Sequence, residues 1–163
     1  MITYDTNMFN KNEWFVIALL AFYILVFLLP KRFPLFISII FILYGIAVAG
    51  VTFDFILGGP TLDYYDDNNN SKYEIIDFLL YTSYGSFSYL IAYFFDKFKL
   101  KKQYVTLYVL ALAIMSIGVE WIGHRLGVFH YKNGYKIEFS FPIYLMVYSI
   151  LLILYFKLHR EKN

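Results

Sequence analysis

The sequence predicts an all-α integral membrane protein: five transmembrane helices, N-terminus out and C-terminus in, with an extracytoplasmic β-hairpin between helices 4 and 5. Three observations lead there. Of 163 residues, 60% are hydrophobic and 23% aromatic while only 16% are charged, which is more apolar surface than a soluble domain of that length can hide. The apolar residues gather in five runs, each close to the roughly 20 residues that cross about 30 Å of hydrocarbon. Lysine and arginine concentrate in alternate connections, as the positive-inside rule requires.

The first run, about 14–29, is stopped by Pro30-Lys31-Arg32. It is expected to span rather than to be cleaved as a secretory signal. The tail before it carries Asp5 and Glu13, and no small-residue cleavage site precedes the basic pair. The second, about 34–55, opens on Pro34 at a favourable first-turn position, and its Gly45 and Ala49 form a small-xxx-small pair that admits a close neighbour. The third, about 72–95, begins with Ser71-Lys72-Tyr73-Glu74, which fits a capping box. The fourth, about 104–126, ends with His124 and Arg125 in its last turn and Gly127 beyond, as the helix dipole and a glycine terminator favour. The fifth covers about 141–158. All five belong to a single membrane domain, 1–163. With the N-terminus outside, nine of the fourteen basic residues fall inside, against only Asp96 and Glu161 among the acids.

Between the last two runs, 128–139 places Asn133-Gly134 between aromatic and branched residues. That is the strongest short signal for a two-residue hairpin turn. It sets Lys132 opposite Tyr135, Tyr131 opposite Lys136 and His130 opposite Ile137.

The ionisable residues then fall at one depth. At about 1.5 Å per residue, Glu120 lies roughly 27 Å beyond Lys102, Asp77 roughly 28 Å before Asp96, and Asp54 roughly 33 Å after Arg32. His124, Arg125 and His130 sit slightly further out. Asp77, Tyr81, Tyr84 and Ser88 share one helix face, as do Ser116, Glu120 and His124. Lipid cannot satisfy such stripes, so they are expected to face the bundle interior.

The candidate polar cluster is therefore Asp54, Asp77, Tyr81, Glu120, His124, Arg125 and His130. It reads either as an acid–base or metal-binding set, or as a structural anchor in which Glu120 pairs with Arg125 or His124. Glu74 is explained by the capping box alone. Asp66, Asn68, Asn70, Glu74 and Asp77 occupy calcium-loop positions, but Ser71 replaces the turn glycine and Asp77 the bidentate glutamate. No cofactor is predicted. The absence of cysteine excludes disulfides and thiolate chemistry, a net charge of +2 does not mark a nucleic-acid binder, and no phosphate loop, nucleophile elbow or dinucleotide fingerprint occurs. The lipid bilayer is the expected partner, with a protein partner or a second copy as further possibilities. The function expected is that of a non-enzymatic membrane component binding a protein or lipid through its outer face. The alternatives are an enzyme acting on a lipid headgroup and a proton or ion path.

Several features from Glu74 to His159 recur together: an early acid in the third run, the Glu120-Trp121 pair, the Gly127–Tyr135 segment GVFHYKNGY, and an aromatic last helix ending YFKLH. In these the chain resembles a family of small uncharacterised multi-pass membrane proteins of spore-forming Gram-positive bacteria. The resemblance covers about the second half of the sequence. It implies a bacterial plasma-membrane location and supplies no activity.

Overall fold

The computed structural model describes residues 10–59, 62–67 and 74–160, without the side chains of Asp54, His159 and Arg160. It is mostly helical. Helices α1 (Lys11–Leu20) and α2 (Phe22–Leu28) are nearly continuous; α3 (Leu35–Tyr44) leads into a π-helical segment, Gly45–Asp54, and a last turn α4 (Phe55–Gly58). After strand β1 (Tyr65–Asp67) come α5 (Ile75–Lys97), α6 (Val105–Arg125), strand β2 (Phe129–Tyr131) and α7 (Ser140–Arg160). Four stretches are long and apolar enough to cross a membrane: Lys11–Leu28, Leu35–Gly58, Lys102–Arg125 and Ile137–Leu158.

The expected third span, α5, is not among the four, and its packing explains why. α1, α2, α3, the π-helical segment and α7 all pack on it, so its polar residues meet protein instead of lipid. Ser83 and Ser86 donate to the carbonyls of Leu80 and Ser83, at 2.6 and 2.8 Å. Two tyrosines from neighbouring helices satisfy further carbonyls of α5: Tyr23 donates to Thr82 at 2.7 Å and Tyr108 to Ile91 at 2.9 Å. A helix whose polar groups are satisfied inside a bundle need not present a wholly apolar surface to lipid.

The start of α5 corrects the expected cap. Ser71–Tyr73 lie outside the described residues, and Glu74 itself is the N-cap, its amide donating to the Asp77 carboxylate at 2.6 Å. The box forms three residues later than Ser71 suggested, which consumes Asp77 as a helix cap.

The hairpin is also corrected. Its turn forms as expected: Asn133 and Gly134 have φ of 51° and 80°, and the Tyr135 amide donates to the Lys132 carbonyl at 3.0 Å. The arm after the turn does not return as a strand but becomes a 3₁₀ turn, Ile137–Phe139. β2 takes its partner from the loop between α4 and α5, pairing antiparallel with β1 so that Tyr65, Asp66 and Asp67 face Tyr131, His130 and Phe129. Lys132 explains the choice: its ammonium reaches Asp63 at 2.5 Å and Asp66 at 2.7 Å. Asn133 adds a hydrogen bond to the Asp63 carbonyl at 2.7 Å. The acidic loop supplies a charge match that the segment's own second arm lacks.

Two apolar cores hold the bundle. One centres on Phe41, Tyr93, Phe95, Leu151 and Leu152, and the other on Val16, Leu80, Val128 and Phe129 beneath the sheet. At the end away from the sheet Arg32 donates to Asp96 at 2.6 Å while Tyr155 donates to the same carboxylate at 2.9 Å. This joins the α2–α3 loop to the ends of α5 and α7 and raises the Arg32 pKa.

Candidate functional site

Ser116, Glu120 and His124 recur every fourth residue on α6, and Ser140, Tyr144 and Tyr148 do the same on α7. The helices pack together, and the two stripes meet in opposite order. The Ser116 hydroxyl meets that of Tyr148. Glu120 Oε2 accepts from Tyr144 at 2.8 Å and Oε1 from Ser140 at 2.7 Å. Tyr131, carried in by β2, completes the set with a 2.7 Å bond to Oε1. Burial, with the Glu120 carboxylate beside it, holds the Tyr131 hydroxyl far above its ordinary pKa, so it stays a donor. Tyr135 extends the network to Ser140 at 2.8 Å.

Glu120 is thus 6% exposed and held by three hydroxyls, the coordination that an ionised carboxylate accepts. The expected pairing with Arg125 or His124 does not form. Arg125 lies over the Trp121 ring, 5.2 Å from its centroid. His124 Nδ1 donates to the Phe129 carbonyl at 2.7 Å, and its ring stacks on Tyr131 at 4.5 Å. His124 orients the tyrosine that holds Glu120 instead of holding the carboxylate itself.

The other described members of the expected cluster have partners other than Glu120. Asp77 caps α5 and is not among the partners of Glu120. Tyr81 donates to Asp67 at 3.2 Å, and His130 sits in the sheet opposite Asp66. The Asp54 side chain lies outside the described residues, as do Asn68 and Asn70 of the calcium-like pattern. The remaining members of that pattern are engaged: Asp66 by Lys132, Glu74 and Asp77 at the cap. Among the described residues no group of three or more His, Asp or Glu side chains could hold a metal.

Glu120 looks into a cavity of about 230 Å³ between α5, α6, α7 and the π-helical segment. Tyr65, Phe129 and Tyr135 line it near the sheet, and Leu112, Ile91 and Leu151 line it deeper in the bundle. The π-helical segment shapes one side, where Gly45 and Ala49 line the space. Glycine is required there: a Cβ on Gly45 would stand 2.7 Å from Ser88 Cβ, and one on Gly50 2.8 Å from Tyr81 Cβ. Gly45 and Gly50, about one π-helical turn apart, both meet α5.

On the opposite side the wall is thin. Met115 and Val119 line the cavity yet are 67% and 42% exposed, and among the described residues α6 has no substantial contact with the π-helical segment. Along that seam only partly exposed side chains separate the cavity from the protein surface. Within it, the buried Ser88 hydroxyl has no hydrogen-bond partner among the described residues.

No family model, curated protein or solved structure matches this chain. Its function rests on its own geometry. The sequence points to Glu120 and its helix face but not to Tyr131, Ser140, Tyr144 and Tyr148, which the expected cluster omits. The four-residue spacing of Ser140, Tyr144 and Tyr148 is a usable signal for three of them; nothing local marks Tyr131.

Proposed function

We propose that this protein is a non-enzymatic, five-span component of a bacterial plasma membrane that binds a lipid amphiphile at its outer end. The single observation that carries the reading is the cavity: mostly apolar, walled in part by the exposed Met115 and Val119 of an apolar helix, and bearing one buried carboxylate. Sites for small amphiphiles combine an apolar wall with a few placed polar groups in this way. A thin wall on that side admits a molecule from the bilayer more readily than from water.

Five spans are the reading that α5 supports, since its 23 residues rise about 34 Å and the other helices surround it. The basic residues assign the N-terminus to the outside, and the resemblance to Gram-positive multi-pass proteins supports the location. The sheet and its Lys132 clamp then cover the outer mouth. An amphiphile bound beneath them makes the outer face the natural place for a protein partner or a second copy to sense occupancy.

The test is native mass spectrometry of protein released from its membranes. The wild type is expected to carry one amphiphile-sized adduct, and Met115→Trp, which thickens the exposed side wall, is expected to lose it. A wild-type spectrum without adduct contradicts the reading. A lipid-headgroup enzyme is the second reading, favoured by the position of Glu120 at the cavity wall; recovery of a chemically altered amphiphile, lost in Glu120→Gln, would select it. Ion conduction is the weakest of the three, because the inner half is filled by the aromatic core around Phe41, Tyr93 and Phe95.

A further inference from the structure

Glu120 is a buried carboxyl group whose described hydrogen-bond partners are all hydroxyls. Three hydroxyls donate to it, and no salt bridge reaches it among the described residues. The nearby basic side chains of the described residues have hydrogen-bond, ion-pair or ring partners of their own. Arg125 lies over Trp121, His124 donates to the Phe129 carbonyl, and Lys132 bridges Asp63 and Asp66. A carboxylate offers about four lone-pair positions. Tyr131 and Ser140 occupy both on Oε1, whereas Tyr144 alone occupies Oε2. One acceptor position is left on an atom of a residue that lines the cavity.

We infer that the ligand is an amphiphile with a cationic, hydrogen-bond-donating amine head, seated against Glu120 Oε2 with its chain along the apolar wall. This rests on the amphiphile-binding reading and adds the headgroup. An ammonium supplies both missing elements, a donor for the open position and a charge for the buried carboxylate. An alcohol supplies only the donor. An anionic head finds no cationic side chain among the described residues of the wall to receive it. Phe15, Phe53, Tyr84 and Phe129 surround the same space, and aromatic walls favour a cation over an anion.

Headgroup preference in otherwise identical chains tests the inference. Tritiated hexadecylamine, hexadecanol and hexadecyl sulfonate are each equilibrated with phosphatidylcholine nanodiscs, with and without the protein, at neutral pH. The amine is expected to be retained about tenfold better than the alcohol, the scale of one charge-assisted hydrogen bond, and the sulfonate least. Glu120→Gln is expected to bring the amine down to the alcohol's level while leaving the alcohol bound. Alcohol or sulfonate retained as well as the amine by the wild type overturns the headgroup inference and leaves the cavity reading standing. An amine preference that survives Glu120→Gln overturns the role of Glu120. Retention of none of the three above empty discs overturns the amphiphile reading itself. The wild-type comparison needs no variant, so a misfolded Glu120→Gln protein does not remove the test.

Discussion

At the residue scale, Glu120 organises the contact between the C-terminal half of α6 and the N-terminal half of α7. Removing one of its three donors differs from removing the acceptor. Tyr144→Phe costs one interhelical hydrogen bond, roughly 0.5–1.5 kcal/mol inside a membrane bundle. Glu120→Ala strands the hydroxyls of Tyr131, Ser140 and Tyr144 together and costs about 2–4 kcal/mol. Thermal unfolding in detergent micelles should rank the two variants in that order, and equal losses would show that the network does not centre on Glu120. Lys132 makes a second, separable prediction. Burial alone lowers its pKa, but hydrogen bonds to Asp63 and Asp66 more than reverse this and hold it above its ordinary value. A cation with a raised folded pKa lends its full stability below the unfolded value and loses it as pH climbs through the folded one. The sheet contact should therefore persist through neutral pH and weaken only under strongly alkaline conditions. Lys132→Met should cost about 1–2 kcal/mol at neutral pH and abolish that alkaline loss.

At the element scale, glycines of similar appearance have opposite roles. Gly50 presses on Tyr81 of α5, so Gly50→Val forces the π-helical segment away from its partner at a cost of roughly 1–3 kcal/mol. Gly118 on α6 has nothing within 4 Å of an added Cβ, and Gly118→Ala should be neutral or stabilising by up to about 1 kcal/mol. Chemical denaturation of the two variants checks the pair; a destabilised Gly118→Ala would mean that this α6 face packs on something. The elements also show what is legible in the sequence. Runs of apolar residues mark the four long apolar stretches because hydrophobic length is a local property. The polar stripe of α6 is legible because four-residue spacing defines a helix face. The strand pairing is not, since Asn133-Gly134 dictates only its own turn, while the partner of β2 is chosen by Lys132 meeting acids some seventy residues earlier. Depth likewise places Asp77 and Glu120 at one level but cannot show that a helix cap claims one and a hydroxyl cage the other.

At the scale of the whole molecule, a membrane topology and a thin-walled cavity go together. The topology is checked by single cysteines, for which the cysteine-free chain needs no prior substitution. A membrane-impermeant maleimide should label Lys136→Cys on intact cells, and Lys101→Cys only after permeabilisation; the reverse pattern would invert the bundle. The cavity is tested most directly by an alkyl chain bearing a diazirine, dissolved in the membrane and photolysed, with adducts mapped by peptide mass spectrometry. Leu107 and Ile114 are 64% and 58% exposed on the surface of α6 and should label in any case. Val147 and Leu151 line the cavity at only 6% and 1% exposure, so a bilayer probe reaches them only by passing the thin side wall. Adducts on Val147 or Leu151, competed by unlabelled amphiphile, are the predicted result; labelling confined to outward residues such as Leu107 and Ile114 would contradict it.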